Sequence, residues 1–280
     1  MDAKLVRELR ERTGAGIMEC KKSLVESNGD MEKALEALKQ GGLIRAQGKA
    51  GRETQHGAVG VYLSEDGKLG TIVELNSETD FVGKNQQFQT LLGKITKAFH
   101  EADDTEDFNQ FIENGKIGEI PIKDLIAQNI AVIGENLSPK RGHRLNLSAD
   151  GIIASYVHNA SAPNIGKIGV LVSLESKQDQ SELKELGKQI AMHIAASNPK
   201  VIDVAQITDA EKKSVLVHRE NSGTPSEEDL KNFYEEMALL EQPFVLDAKT
   251  KVKEVLASKA SSPANPIRIV DFVRFSLGEG

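Results

Sequence analysis

Residues 58–75 read AVGVYLSEDGKLGTIVEL. From His56 the pattern changes to period two, with β-rich runs on both sides of Glu65-Asp66-Gly67. An Asp-Gly pair between two β-rich runs is a strong short hairpin signal. Ala58–Leu63 and Leu69–Leu75 are therefore expected to pair as antiparallel strands. A helix should follow, with Phe88, Leu91, Leu92, Ile95 and Phe99 on one face. A second helix is expected around Asp124–Ile133 and a third strand over Arg141–Leu147. The pattern then restarts. Gly151–Val157 and Lys167–Leu174 form a second strand pair, with a looser loop at Asn159–Asn164. Leu183, Leu186, Ile190 and Ile194 mark a helix, and Ile267–Leu277 reads as the closing strand. The fold class is α+β: two copies of a strand–strand–helix–strand unit, each an antiparallel sheet covered by helix. The copies are alike in pattern rather than in residue identity.

The second copy carries an insertion at about 208–238. Thr208-Asp209-Ala210-Glu211 and Thr224-Pro225-Ser226-Glu227 both fit capping boxes. Two antiparallel helices should project there as a hairpin, with Leu216 and Val217 meeting Leu230, Phe233 and Met237. Such an arm serves a partner, a second copy of the chain or nothing at all; composition does not decide.

The N-terminus reads as a three-helix bundle. Leu5, Val6 and Leu9 give the first helix its stripe, and Thr13-Gly14-Ala15-Gly16 breaks it. Ile17, Cys20 and Leu24 mark the second, so Cys20 packs in the core. Asp30 caps the third, Met31, Ala34, Leu35 and Leu38 bury it, and Gly41-Gly42 should end it. Residues 1–54 carry 11 Lys/Arg and 9 Asp/Glu, a net of +2, while the remainder carries −9. The expected division is residues 1–54, a helical module with a basic linker, then 55–147 and 148–280 as two core subdomains.

Composition narrows the function. The 280 residues hold 42 acids against 35 bases, a balance of the wrong sign for a wholesale nucleic-acid binder. There is no Trp and a single Cys, which disfavours ring-stacking ligands, disulfide frameworks and thiolate metal sites. The opening MDAKLVRELRERTG is no secretory signal, and no apolar run reaches the roughly 20 residues of a membrane span. A cytoplasmic protein that acts without membrane, direct nucleic acid, cofactor or metal is expected. A phosphate loop at Gly42…Gly48-Lys49 fails, because Ala50 stands where a hydroxyl must reach the metal. That stretch is a basic linker or a frayed helix end. His158 and His193 have the right titration range for acid–base work, but no nucleophile lies at a suggestive spacing. His193 reads as the polar edge of a packed helix, His158 as a strand end.

One segment stands out: Glu74-Leu75-Asn76-Ser77-Glu78-Thr79-Asp80-Phe81-Val82-Gly83-Lys84. Locally, Asp80 could cap the coming helix, with Phe81 and Val82 stapling it to the sheet. Alternatively, Phe81 is an exposed anchor for a partner pocket.

Together with Leu9-Arg10-Glu11-Arg12-Thr13-Gly14-Ala15-Gly16, this segment resembles bacterial elongation factor Ts, a family that pairs L-R-x-x-T-G-x-G with E-x-N-x-x-T-D-F-V. Further matches run in family order, among them Ile133-Gly134-Glu135-Asn136, His158, Met192–Ser197, Gln242-Pro243-Phe244-Val245 and Phe272-Val273-Arg274-Phe275. The resemblance implies a ubiquitin-associated-like N-terminal bundle, a two-part core and a projecting hairpin. It implies a guanine-nucleotide exchange factor for elongation factor Tu, not an enzyme of bond chemistry. Asp80 and Phe81, flanked by Thr79 and Val82, would disturb the partner's magnesium and phosphate contacts. Arg10, Ile17, Met18 and Lys21 match contact positions of the N-terminal module, and Ile133 and His158 match contacts of the core. Whether the complex pairs with a second copy stays open. Gly83 departs from the family's usual Ser or Ala, so a more flexible loop is expected there.

Overall fold

The computed structural model describes residues 2–103, 106–210, 212 and 227–279. Helices α1 (Ala3–Thr13), α2 (Ile17–Glu26) and α3 (Met31–Gln47) precede strands β1 (His56–Leu63) and β2 (Leu69–Ser77). Helices α4 (Gln86–His100) and α5 (Phe108–Asn114), the two-residue strands β3 (Lys116–Ile117) and β4 (Ile120–Pro121) and helix α6 (Ile122–Ile133) lead to β5 (Leu137–Asn146). Then come β6 (Gly151–His158), β7 (Ile165–Gly166), β8 (Ile168–Glu175) and helix α7 (Gln180–Ser197). Helices Glu227–Met237 and Val252–Lys259 precede β9 (Arg268–Ser276).

Two antiparallel sheets, ordered β5-β2-β1-β7 and β6-β8-β9, carry the core. They pack face to face through Val59, Val61, Ile72, Ile153, Leu171 and Phe275. Val73 and Leu75 point the other way, into the apolar cluster built with α4 and α6. Val170, Val172 and Leu174 likewise meet α7. Strands β2 and β8, both interior in their sheets, are thus buried on two faces, and β2 also carries the buried polar residues Thr71, Glu74, Asn76 and Ser77.

The two units repeat in detail. Gly57, the second residue of β1, has φ 125° and Gly151, the first of β6, has φ 142°, a region that side chains rarely enter. A Cβ at either would stand 2.2 or 2.0 Å from a carbonyl, of Leu75 and Leu174 respectively. A bulge falls between Glu74 and Leu75 on the β2–β5 ladder, and between Ser173 and Leu174 on the β8–β9 ladder. One shift in numbering lays Leu69–Leu75 over Ile168–Leu174, with Gly, Val and Leu identical at three of the positions. So the repeat is one of identity as well as pattern. The expected third strand began too late: β5 starts at Leu137 and runs through Pro139. Proline is tolerated because β5 lies at a sheet edge, and the bulge leaves Lys140 unpaired.

The N-terminal helices enclose their own core of Leu9, Ala15, Cys20, Leu24 and Ala34. Helix α3 does not stop at Gly41-Gly42 but continues to Gln47. Gly42 is buried against α6, where its Cβ position lies 3.2 Å from the Ala131 methyl. Close helix packing, not a chain break, explains this glycine, and the first three residues of the expected basic linker, Arg45, Ala46 and Gln47, are the last turn of α3. Ala46 then enters the core of the first sheet.

Of the expected hairpin arm, Glu227–Met237 is helical, with Phe233 buried beside Ile207 and Ala238. Leu216 and Val217 of its expected first helix lie outside the described residues. Among the described residues no helix is long and apolar enough to cross a membrane.

The tight sheet-to-sheet contact gives a test. At Gly169 a Cβ would lie 2.7 Å from Val59 Cγ1 and 2.9 Å from Ile72 Cδ1. Gly169→Ala is expected to cost about 1–3 kcal/mol by overpacking. Gly93 in α4 is exposed with no heavy atom within 4 Å of its Cβ position, so Gly93→Ala should stabilise by up to about 1 kcal/mol. Urea unfolding of both variants checks the contrast.

Candidate functional site

Strand β2 ends at Ser77, and the chain turns through Glu78–Phe81 into a single 3-10 turn, Val82–Lys84, before α4. Asn85 is the N-cap of α4: its side chain accepts from the N–H of Gln87 (2.8 Å) and of Phe88 (3.3 Å). Asp80 is therefore free of the capping role. Val82 is buried in the cluster that holds Phe88. Phe81 is 78% exposed. A phenylalanine side chain left in water forgoes roughly 1.5–3 kcal/mol of burial, so the fold holds it out against the hydrophobic effect.

The loop is braced on both sides. The Thr79 N–H donates to Glu135 Oε2 (2.9 Å), and the Thr79 hydroxyl donates to Glu135 Oε1 (2.6 Å). The Asn136 N–H donates to Glu78 Oε1 (2.6 Å), and Arg52 lies 3.6 Å from the same carboxylate. Asn136 and Asn76 donate side-chain N–H groups to the carbonyls of Arg52 and Thr54. Past Phe81, Gly83 lies where a Cβ would be 2.6 Å from the Gly57 carbonyl oxygen. Its own carbonyl accepts from Gln89 Nε2 (3.2 Å) and Ser161 Oγ (3.3 Å). The expected looseness at Gly83 is overturned: the glycine permits a close approach and the turn is pinned.

Ile133 is the half-buried last residue of α6, two positions before Glu135. His158 ends β6, exposed, with Nδ1 3.3 Å from the Tyr156 hydroxyl. The loop after it bends back so that β7 pairs with β1, joining the two sheets. A groove lined by Asp80, Gly83, Lys84, Asn159, Ser161 and Lys167 results. So Thr79, Asp80, Phe81, Val82 and Ile133 share one neighbourhood, and the chain after His158 borders it. Arg10, Ile17, Met18 and Lys21 belong to the separate helical module. All four are exposed, Met18 by 72%. The corner of that module touches the core at Gly14, whose Cβ position is 3.5 Å from Gln87 Nε2 and 3.7 Å from Val132.

Glu78, Glu135, Asn136 and Arg52 are the loop's bracing neighbours, to which the sequence reading assigned no role of their own. The available signal was Gly134-Glu135-Asn136: Gly134 closes α6 at φ 89°, and an acid and an amide follow at once.

His193 is wholly buried, not at an edge. The Val245 N–H donates to its Nδ1 (3.2 Å), so Nε2 carries the proton and donates to Gln242 Oε1 (2.9 Å). Burial holds its pKa below the ordinary histidine value, with the Gln242 bond opposing. His193 is thus a neutral link between α7 and the Gln242–Val245 segment. Among the described residues no group of three or more His, Cys, Asp or Glu is placed to hold a metal ion.

Fold and site together define a multi-part α+β protein whose distinguishing feature is an aromatic held outward on a braced loop. A family model described as Elongation factor TS matches residues 78–279. Elongation factor Ts of Rhodospirillum centenum is 42% identical over 294 aligned residues, covering 100% of this chain and 94% of that protein. Elongation factor Ts of Parvibaculum lavamentivorans is 41% identical, over 99% and 92% of the two chains, and that of Zymomonas mobilis is 42% identical over the same shares. The chain belongs to the elongation factor Ts family, whose work is translation elongation.

Two outcomes are expected. Phe81→Ala should leave folding stability within about 0.5 kcal/mol of the parent, whereas Val82→Ala should cost about 1–3 kcal/mol, both read from urea midpoints. Because His193 has a lowered folded pKa, the unfolded chain takes up a proton first as pH falls below about 6.5. Its contribution to stability is whole above that pH and is lost on acidification. Unfolding free energies from pH 7.5 to 5.5 should fall less steeply in His193→Gln.

Proposed function

We propose that this chain is the guanine-nucleotide exchange factor for elongation factor Tu, acting by binding alone and without bond chemistry. The observation that carries the reading is Phe81, 78% exposed on a loop whose backbone is braced on both sides. Asp80 and Phe81 enter the GTPase beside its nucleotide site and disturb the magnesium and phosphate contacts that hold GDP. The ion neutralises much of the diphosphate charge, so a small displacement of its ligands weakens the nucleotide sharply. Exchange then follows from reciprocity: the factor loosens GDP by the same factor by which GDP loosens it. GTP takes the emptied site.

The N-terminal bundle, of ubiquitin-associated type, supplies a second contact through Arg10, Ile17, Met18 and Lys21. Ile133 and His158 supply further contacts from the core. Thr79 and Val82 serve by holding the loop. Residues 1–54, 55–147 and 148–280 act as module and two core subdomains. The setting is the cytoplasm, without nucleic acid or membrane.

Stopped-flow release of fluorescent GDP from elongation factor Tu tests the reading. The chain should accelerate release, and Phe81→Ala should lose more than about tenfold of that acceleration, as expected for an anchoring aromatic. No acceleration by the parent chain would sink the assignment.

A further inference from the structure

Two consecutive loop residues, Glu78 and Thr79, face two consecutive residues after α6, Glu135 and Asn136, and each side offers one carboxylate to the other's backbone. The Glu135 carboxylate accepts the Thr79 N–H (2.9 Å), and the Glu78 carboxylate accepts the Asn136 N–H (2.6 Å). Glu135 does more, because its second oxygen takes the Thr79 hydroxyl at 2.6 Å. Both oxygens are then committed, and Thr79 is fixed at its backbone and its side chain at once. Charge-assisted bonds of this kind are roughly twice as strong as neutral ones.

Thr79 lies two residues before Phe81, and the Phe81 side chain is too exposed for packing to aim it. Its direction is therefore set by the backbone, held by Thr79 before it and by Val82 and Gly83 after it. The Val82–Gly83 anchor refers the loop to its own sheet through Gly57. Glu135 refers it to something else: α6, the helix on which α3 of the N-terminal module packs. Gly134 reverses the chain between α6 and Glu135, and the Lys49 ammonium from just past α3 donates to the Gly134 carbonyl. Arg52, on the chain leaving the module, is bound by both Glu78 and Asn136. The loop, α6 and the root of the N-terminal module are thus tied at one point.

We propose that Glu135 is the positioning residue for nucleotide exchange: its bidentate hold on Thr79 aims Phe81, and it ties that aim to the docked N-terminal module. The inference rests on the exchange-factor reading above. Glu135 touches neither nucleotide nor metal in this role and acts only through Thr79.

The test uses the full chain and elongation factor Tu loaded with fluorescent GDP, with the factor's concentration varied to separate maximal release rate from half-saturation. Glu135→Gln removes the charge and one of the two acceptor oxygens, leaving a neutral amide in place of the charge-assisted bidentate acceptor. It should lower the maximal rate about tenfold and move half-saturation little, as expected when contacts survive but geometry drifts. Hydrogen exchange should quicken at the amides of residues 79–81 and stay unchanged across β2. Thr79→Ser keeps both bonds and should retain parental exchange, whereas Thr79→Val should fall with Glu135→Gln. In a Phe81→Ala background, Glu135→Gln should cost less than about twofold more, because the two act through one step. If the parent accelerates release but Glu135→Gln matches it, the positioning role is overturned alone. A Glu135→Gln loss that multiplies fully with that of Phe81→Ala, or that appears only in half-saturation, overturns it as well. If the parent itself does not accelerate release, the exchange reading fails first.

Discussion

The contact between β2 and β8 is the constraint on which the remaining structure depends. Each strand lies inside its sheet and is buried on both faces, so each must be slim where the other sheet presses on it and must pair the polar groups it buries. Gly70 and Gly169 meet that demand at matching positions, with Cβ sites 2.9 Å from Ile153 Cγ2 and 2.7 Å from Val59 Cγ1. With the inner faces joined so closely, the outer faces are left for α4 and α6 on one side and α7 on the other. The sheets are also locked by charge. Glu74, almost wholly buried, pairs with Arg141 at 2.8 Å, and Arg141 stacks on Phe275 and donates to the Ser276 carbonyl. That arginine ties the edge strand of the first sheet to the edge strand of the second. A buried pair is weak evidence for stability, but removing one partner of it strands a charge.

This rigid body explains how a loop can afford an exposed phenylalanine. A mobile Phe81 would fold back on the nearest apolar surface. Here Val82 takes the buried place, Gly83 is pressed on Gly57, and Thr79 is held through Glu135. The backbone has no slack with which to turn the ring inward.

Much of the fold was legible because its signals are local. The Asp-Gly hairpin, the apolar stripe of α4 and the restart at Gly151 each need only a window of a few residues. The misses share one physical cause, namely contacts distant in sequence. Gly41-Gly42 has the composition of a helix stop, and only Ala131 shows why Gly42 sits inside a helix. Pro139 argues against a strand until β5 is known to be an edge. The seven-residue repeat hides three identities among four changes, and the bulges that align it belong to ladders rather than to strands. At the site, Phe81 was readable as a bulky residue at a strand end. The Glu135 that braces its loop lies across a long stretch of sequence, and nothing in the spacing joins it to Thr79.

On the proposed exchange function, stiffness at this loop would matter, because such a factor works by differential binding. An exchange factor gains nothing from holding its loaded and empty partners equally well; only the difference between them shifts nucleotide affinity. A floppy aromatic would spend its binding free energy on its own ordering, roughly 0.5–1.5 kcal/mol for each side chain immobilised. It would also yield when the partner's nucleotide site pushed back. A braced one transfers the strain to the partner instead. The same argument explains why the brace reaches α6 and Arg52 rather than ending within the loop. Under that proposal a partner's push on Phe81 would need a counterweight, and the helical module packed on α6 would extend the lever over which it is spread.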